Sequence, residues 1–244
     1  MIALIRTELL KLLWTRATWG FLAAAVVLAV VRVEMVLSNV GKASAPAPGS
    51  RQLTLDVLGA SAVGALVIVL LGVVIVTREF HHATWTWTLL ETPNRPRVLV
   101  AKFATAALVG AMGGAFLLAV AAGLGLASGD VRLFVDARQV QLVAGALVAT
   151  AWWAWLGAAI GAVVRSQTVA LLIPLVWILV IETLLPSYGL GPVLPWTPNG
   201  LSAALSGAEF AGALPEWAAA LTLLGYGLVL SATAVRRAVR TDVC

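Results

Sequence analysis

The chain has 244 residues, of which 61% are hydrophobic and only 11% are charged, and its mean hydropathy is +0.99. Soluble domains carry roughly 25% charged residues, so this composition excludes a mainly soluble protein. The formal net charge of +5 would suggest nucleic acid in a soluble domain. Here the basic residues flank apolar runs, so they indicate membrane topology and lipid contacts, and we expect no nucleic-acid partner.

The apolar residues come in unbroken blocks, and several blocks reach the roughly 20 residues that a helix needs to cross a bilayer. Blocks of this kind favour helices over the alternating strands of a β-barrel. The sequence therefore predicts an all-α integral membrane protein, with one transmembrane domain over residues 1–244. Six spans are expected, at 18–37, 57–77, 98–127, 140–164, 168–184 and 217–235.

An amphipathic helix is predicted before the first span, within an interfacial elbow at residues 1–17. Ile5, Leu9 and Leu12 fall on one helical face, and Glu8 and Lys11 fall on the opposite face. Such a helix lies in the plane of the membrane surface. Two interpretations stay open: a simple anchor, or a helix that also contacts a cytoplasmic partner.

The orientation of the chain follows from its basic residues. With the N-terminus inside, the sixteen Lys and Arg residues divide eleven to five in favour of the cytoplasmic side. We therefore expect a multi-pass protein of the cell membrane with both termini in the cytoplasm. Residues 38–56 are predicted to form a flexible outer connection. The proline-broken, apolar stretch 185–216 is predicted to form short re-entrant or interfacial helices on the outer side.

The chain shows no chemistry of its own. No Walker A motif is present, and Gly41-Lys42-Ala43 does not make one. His81 and His82 are the only histidines, and adjacent helical positions point about 100° apart, which poorly suits a two-histidine metal site. We therefore expect a non-catalytic protein that binds no metal and no cofactor.

Some residues inside the predicted spans are candidates for function. Arg32 and Glu182 lie at similar depths toward the outer ends of their spans, so they form a candidate intramembrane pair, within one chain or between two. The alternative is that both reach the outer headgroups. Tryptophans inside the spans are candidates for a substrate path, with packing or lipid contact as the alternative; they are Trp152, Trp153, Trp155 and Trp177.

Three segments together resemble a known family. The first is residues 6–12, which read RTELLKL, and the second is the polar segment 78–97 after the second span, which begins Arg78-Glu79-Phe80 and is followed by Lys102. The third is residues 194–200, which read LPWTPNG. The chain resembles the small permease subunits of type-2 ABC exporters, particularly those of actinobacteria. It departs from them at Ala83, where glycine is common.

The resemblance implies an assembly of two permeases, as a homodimer or a heterodimer, with two copies of a cytoplasmic ABC ATPase that binds ATP and Mg²⁺. Segment 78–97 would be the coupling helix, with Glu79 as its main polar contact to the ATPase. The supporting residues would be Arg78, Thr84 and Glu91, and the N-terminal helix with Glu8 and Lys11 would brace the same surface. The implied function is export of a substrate from the cytoplasm or inner leaflet.

The apolar spans and the tryptophans favour a hydrophobic or amphipathic cargo such as a drug, an antibiotic or a lipid. Two alternatives use no ATPase: a stand-alone carrier or channel, and a membrane scaffold subunit. A carrier typically has polar groups or broken helices near the middle of the membrane. In this chain Pro174 is the one clear proline inside a span, and carboxylates are absent from the middle of the spans.

Overall fold

The structure is a computed structural model, and it describes residues 2–42, 46–81, 94–134, 136–208 and 210–240. These ranges are mainly helical and contain no β-strand. Six helical stretches are long and apolar enough to cross a membrane, as predicted. We number them spans 1 to 6, at Arg16–Leu37, Arg51–Glu79, Arg95–Ser128, Ala137–Val164, Gln167–Tyr188 and Glu216–Arg240.

The N-terminal helix, Ile2–Leu13, precedes span 1 and is separated from it by a sharp turn. Thr15 adopts an extended conformation there, so the chain changes direction between the two helices. Leu12 is buried in the same apolar cluster as Leu99 and Ala238, from the beginning of span 3 and the end of span 6. The N-terminal helix is thereby attached to the helical bundle by burial of apolar surface.

Span 2 is interrupted in the middle. It consists of an α-helix Arg51–Ala60, a 3₁₀ turn Ser61–Gly64 and a second α-helix Ala65–His81. The prediction of a flexible connection up to residue 56 is wrong for its last six residues, since the helix already begins at Arg51. The side chain of Ser50 accepts a hydrogen bond from the amide of Leu53 and caps this helix.

Spans 3 and 4 have clear stop and start signals. The side chain of Asn94 caps span 3 by accepting from the amide of Arg97, and Gly129 ends that span in a left-handed conformation with φ of 78°. Asp136 caps span 4 by accepting from the amide of Gln139 at 2.8 Å. Asp136 also pairs with Arg51 at 2.6 Å, which ties the beginning of span 4 to the beginning of span 2.

Spans 2 and 4 form the centre of the bundle, with 72% and 61% of their most apolar windows buried, against 17% in each of spans 1 and 5. Glycines allow this close approach. A Cβ added at Gly157 would lie 2.0 Å from the carbonyl oxygen of Val69, and one at Gly72 would lie 2.1 Å from that of Ala154. A Cβ added at Gly110 would lie 2.4 Å from the carbonyl oxygen of Thr150, and one at Gly114 would lie 2.2 Å from the hydroxyl of the same residue, so span 3 also packs closely against span 4.

Span 5 is irregular. Pro174 cannot donate a backbone hydrogen bond, and a π-helical turn, Trp177–Ile181, follows it. Span 5 ends in a short helix, Leu185–Tyr188, and two further short helices, Gly191–Trp196 and Pro198–Leu205, precede span 6. Helices are thus present in the stretch 185–216, as predicted, and their placement relative to the membrane stays a prediction.

Candidate functional site

Four charged side chains meet at one end of the bundle. Lys102, from the first third of span 3, donates to Glu8 Oε2 and to Glu79 Oε1, each at 2.7 Å. Lys11 donates to Glu8 Oε1 at 2.8 Å and to Glu79 Oε1 at 3.4 Å. These four residues, which we call the ion-pair network, join the N-terminal helix to the end of span 2 and the beginning of span 3.

The ion-pair network is largely withdrawn from solvent. The side chain of Lys102 is 0% exposed, and those of Glu79 and Glu8 are 6% and 10% exposed. Lysine and glutamate are almost never fully buried unless they are paired. Two carboxylates and two ammonium groups have no net charge, so the network can be buried as a neutral unit. Lys11, at 38%, is its most exposed member.

The pKa values of the two residues on the N-terminal helix are shifted in the directions that ion pairing produces. Burial raises the pKa of Glu8, but the charge of Lys102 and hydrogen bonds from Lys102 and Lys11 outweigh it and hold that pKa below its ordinary value. Burial lowers the pKa of Lys11, and the hydrogen bond and charge of Glu8, with Glu79, more than reverse this and raise it. Both residues are therefore held in their charged forms.

Arg78 adds a second link at the same end. Its guanidinium donates to the hydroxyl of Thr15, and that hydroxyl donates to the carbonyl of Lys11 at 2.6 Å. The end of span 2 is thereby connected to the turn between the N-terminal helix and span 1. The guanidinium of Arg95, at the beginning of span 3, donates to the carbonyl of Ala238 at 3.0 Å and brings in the end of span 6.

The structure brings together four of the predicted coupling residues: Arg78, Glu79, Glu8 and Lys11. Thr84 and Glu91 lie outside the described residues. The polar side of the N-terminal helix, predicted to face away from the apolar contacts, packs instead against Lys102. Lys102 was not among the predicted site residues, although a lysine so close to an apolar run was a signal for it.

The carboxylate of Glu79 points into the protein. It was predicted to be the main polar contact to an ATPase, yet the residue is only 5% exposed and its Oε1 binds Lys102 and Lys11. Its Oε2 is buried and accepts no hydrogen bond from the part of the chain that the structure describes. In this conformation Glu79 holds the end of span 2 in place rather than offering its charge to a partner.

The tryptophans predicted for a substrate path have different environments. Trp152 is buried and donates from Nε1 to the carbonyl of Leu223 at 2.7 Å, and Trp155 donates to the hydroxyl of Ser231 at 2.9 Å. Both therefore attach span 4 to span 6. Trp153 packs edge-on against Trp152, with ring centroids 5.2 Å apart. Trp177, on the π-helical turn, is 39% exposed.

Arg32 and Glu182 do not pair within one chain. No ion pair between them occurs in the described ranges, and Glu182 accepts a hydrogen bond from Trp177 Nε1 at 2.8 Å. The indole is five residues away on the same span, so it satisfies a carboxylate oxygen locally. Pairing between two copies stays a prediction. Among residues the structure describes, no group of three His, Cys, Asp or Glu could hold a metal ion.

Comparisons with known proteins identify the family. The model of a family described as "ABC-2 family transporter protein" matches residues 4–181, which includes the ion-pair network and spans 1 to 4. No curated protein matches the chain. Because the match covers well over half of the 244 residues, this chain belongs to the ABC-2 transporter family, the membrane permeases that work with a separate ABC ATPase subunit.

Proposed function

We propose that this chain is the transmembrane permease of an ATP-driven exporter, and that the ion-pair network transmits the movement of the ATPase to the spans. The observation that carries the proposal is the position of that network. It joins the N-terminal helix, the end of span 2 and the beginning of span 3 through Glu8, Glu79 and Lys102. Residues 82–93 connect spans 2 and 3, so in the chain they follow Glu79 and precede Lys102.

A partner that binds residues 82–93 would move three elements together. Lys102 and Lys11 each bind both carboxylates, so the N-terminal helix cannot shift relative to Glu79 without breaking ion pairs in a buried site. Breaking such pairs costs about 3–5 kcal/mol when one charge is left uncompensated. The network therefore makes this end of the bundle rigid, as a coupling element requires.

The roles of the predicted coupling residues follow from this arrangement. Thr84 and Glu91, together with the N-terminal helix, are the proposed contacts to the ATPase, and Glu79 is a positioning residue. ATP and Mg²⁺ would bind to the ATPase, in two copies, and a second permease, identical or different, would complete the path. In this reading the chain itself has no catalytic role.

The same end of the bundle is proposed to face the cytoplasm. Arg95 binds the carbonyl of Ala238 there. Burial lowers the pKa of Arg165, which directly follows span 4, and the nearby charges of Arg237 and Arg95 lower that pKa further. An excess of positive charge at one end is typical of the cytoplasmic side. The proposed cargo is hydrophobic or amphipathic, such as a drug, an antibiotic or a lipid, which agrees with the apolar composition of the spans.

The test is co-purification from native membranes in a mild detergent, with mass spectrometry of what is retained. We expect a P-loop ATPase with the wild type and its loss with Glu91→Arg, which reverses a proposed contact charge. Glu34→Arg is the matched control, because it makes the same change at an exposed position near the opposite end of span 1. Failure of the folded wild type to retain any ATPase would favour a stand-alone carrier or a scaffold subunit.

A further inference from the structure

A cavity of about 1080 Å³ lies toward the end of the bundle opposite the ion-pair network. Its walls come from spans 1 to 4 and from the helix Pro198–Leu205, all within one chain, and none of the lining found in the described ranges belongs to spans 5 or 6. Ligand pockets of proteins measure about 300–1,000 Å³, so the cavity is large enough for a small amphipathic molecule. Two of the candidate residues from the sequence, Arg32 and Trp153, line it.

The lining is polar near the ends of the spans and apolar further in. Arg32, Arg138 and Asp56 are its charged residues, and Asp56 Oδ1 accepts a hydrogen bond from Gln52 at 2.8 Å. Two arginines and one aspartate give this part of the lining a formal charge of +1. An anionic group is therefore favoured there over a cationic one.

The deeper part is lined mainly by apolar side chains, and the hydroxyls of Ser61 and Thr150 there donate to backbone carbonyls of their own spans. Leu118 and Leu142 face the cavity from spans 3 and 4, and Trp153 lies closer to the middle of span 4. The indole and the aliphatic groups provide an apolar surface that would exclude water from a hydrocarbon chain or ring system. This separation of charged from apolar lining matches an amphipathic molecule whose charged group lies near the ends of the spans.

The interruption of span 2 lies in the wall of this cavity. Gly59, Ser61 and Ala62 all line it, and Ser61 begins the 3₁₀ turn. A Cβ added at Gly59 would meet no atom within 4 Å, so there is open space beside the break. Helices interrupted inside the membrane are typical of substrate sites in transporters.

We propose that each chain binds one amphipathic molecule with an anionic group in this cavity, with the anion at Arg32 and Arg138 and the apolar part against Leu142 and Trp153. The inference names the substrate class of the proposed exporter and rests on that proposed function only for calling the molecule cargo. A resident anionic lipid has the same chemistry and would occupy the same place.

The test measures binding of dansyl-undecanoic acid to the purified chain in phosphatidylcholine nanodiscs, without any ATPase, with empty nanodiscs as background. We expect saturable binding, and binding of the neutral methyl ester that is weaker by roughly tenfold or more, the effect of losing a charge-assisted contact. Arg32→Gln and Arg138→Gln should each weaken binding of the acid and leave that of the ester unchanged. Arg132→Gln, near the same end but outside the lining, is the control.

A second pair of variants tests the place of binding. Ala62→Phe fills the cavity from span 2 and should abolish binding of acid and ester alike, and Ala203→Phe should do the same from the helix Pro198–Leu205. Ala115→Phe, at an exposed position of span 3 outside the lining, should bind as the wild type does. Equal affinity for acid and ester, or unchanged binding by both filled variants, would overturn the proposal.

Mass spectrometry of the lipids that co-purify with the wild type and with Ala62→Phe distinguishes a resident lipid from cargo. An anionic lipid present only in the wild type identifies a resident lipid, and equal lipid contents identify the site as one for cargo. Because no ATPase takes part in this assay, its result is independent of whether an ATPase co-purifies.

Discussion

The ammonium group of Lys102 lies 2.7 Å from Glu79 Oε1, and this contact joins the two spans on either side of the segment proposed to bind the ATPase. The two residues are 23 positions apart, and the side chain of Lys102 is fully buried. A buried cation at this place makes the relative position of the two spans depend on the negative charges that surround it.

Replacing the buried cation should destabilise the protein strongly. Lys102→Met leaves Glu8 and Glu79 side by side with only Lys11 to compensate them, at an expected cost of about 3–5 kcal/mol. The double variant Lys102→Met with Glu79→Gln restores neutrality, so it should recover part of the loss. Thermal melting in detergent measures both. Lys42→Met, at an exposed lysine near the opposite end of the bundle, is the control, and equal melting temperatures for the two single Lys variants would contradict the prediction.

The attachment of the N-terminal helix should become less stable as the pH falls below the ordinary pKa of a glutamate. The pKa of Glu8 is depressed below its ordinary value of 4.5, so its stabilising effect is complete above that pH and is lost as the pH falls through the lower, folded value. Glu8→Gln lacks this component. Melting temperatures measured from about pH 7 to about pH 3 should therefore fall more for the wild type than for Glu8→Gln. An equal fall in melting temperature for the wild type and for Glu8→Gln would contradict this prediction.

The pH dependence expected from Lys11 is the reverse of that expected from Glu8. Its pKa is raised above the ordinary 10.5, so its stabilising effect is complete below that pH and is lost as the pH rises through the higher, folded value. The contributions of Glu8 and Lys11 are therefore both complete between these two limits.

The contact between spans 2 and 4 should not accept even a methyl group. The added Cβ of Gly157→Ala would lie 2.0 Å from a backbone oxygen, which cannot move without shifting the helix, and overpacking of this kind costs about 1–3 kcal/mol. Gly123→Ala, in span 3, meets no atom within 4 Å and should stay within about 1 kcal/mol of the wild type. Melting temperatures of the two variants compare the sites, and similar values would contradict the packing described.

Trp152 should contribute to the stability of the fold rather than to the binding of cargo. Trp152→Phe removes the donor to the carbonyl of Leu223 and leaves a void between spans 4 and 6, so we expect a loss of about 1–3 kcal/mol. Binding of dansyl-undecanoic acid by the folded variant should be unchanged, because Trp152 does not line the cavity. A weakened affinity without a lower melting temperature would instead place Trp152 in the path.

The spans could be predicted because long apolar runs leave few alternatives to a membrane helix. The beginning of span 2 could not be placed from hydrophobicity, since Arg51, Gln52 and Asp56 read as a loop. They are helical because Ser50 caps the chain there and Thr54 donates to the carbonyl of Arg132 at 2.7 Å, a contact 78 residues away. Distant partners of this kind are not visible in a local pattern.

The site was only partly predictable for the same reason. Glu79 and Lys102 stand at the facing ends of consecutive spans, so their proximity could be expected from topology. The position of Glu8 depends on how the N-terminal helix packs, and helical periodicity alone placed its polar side away from the apolar contacts. The packing of Leu12 against spans 3 and 6 turns that side toward Lys102 instead.

The ion-pair network also sets an order of events during synthesis. Ribosomes make proteins from the N-terminus, so Glu8 emerges 94 residues before the lysine that neutralises it in the folded protein. Until span 3 follows, Glu8, Lys11 and Glu79 carry one uncompensated negative charge. The N-terminal helix can therefore complete its ion pairs only after the beginning of span 3 has been made, and its apolar contacts only after span 6, so the first helix of the chain waits for partners that are synthesised later.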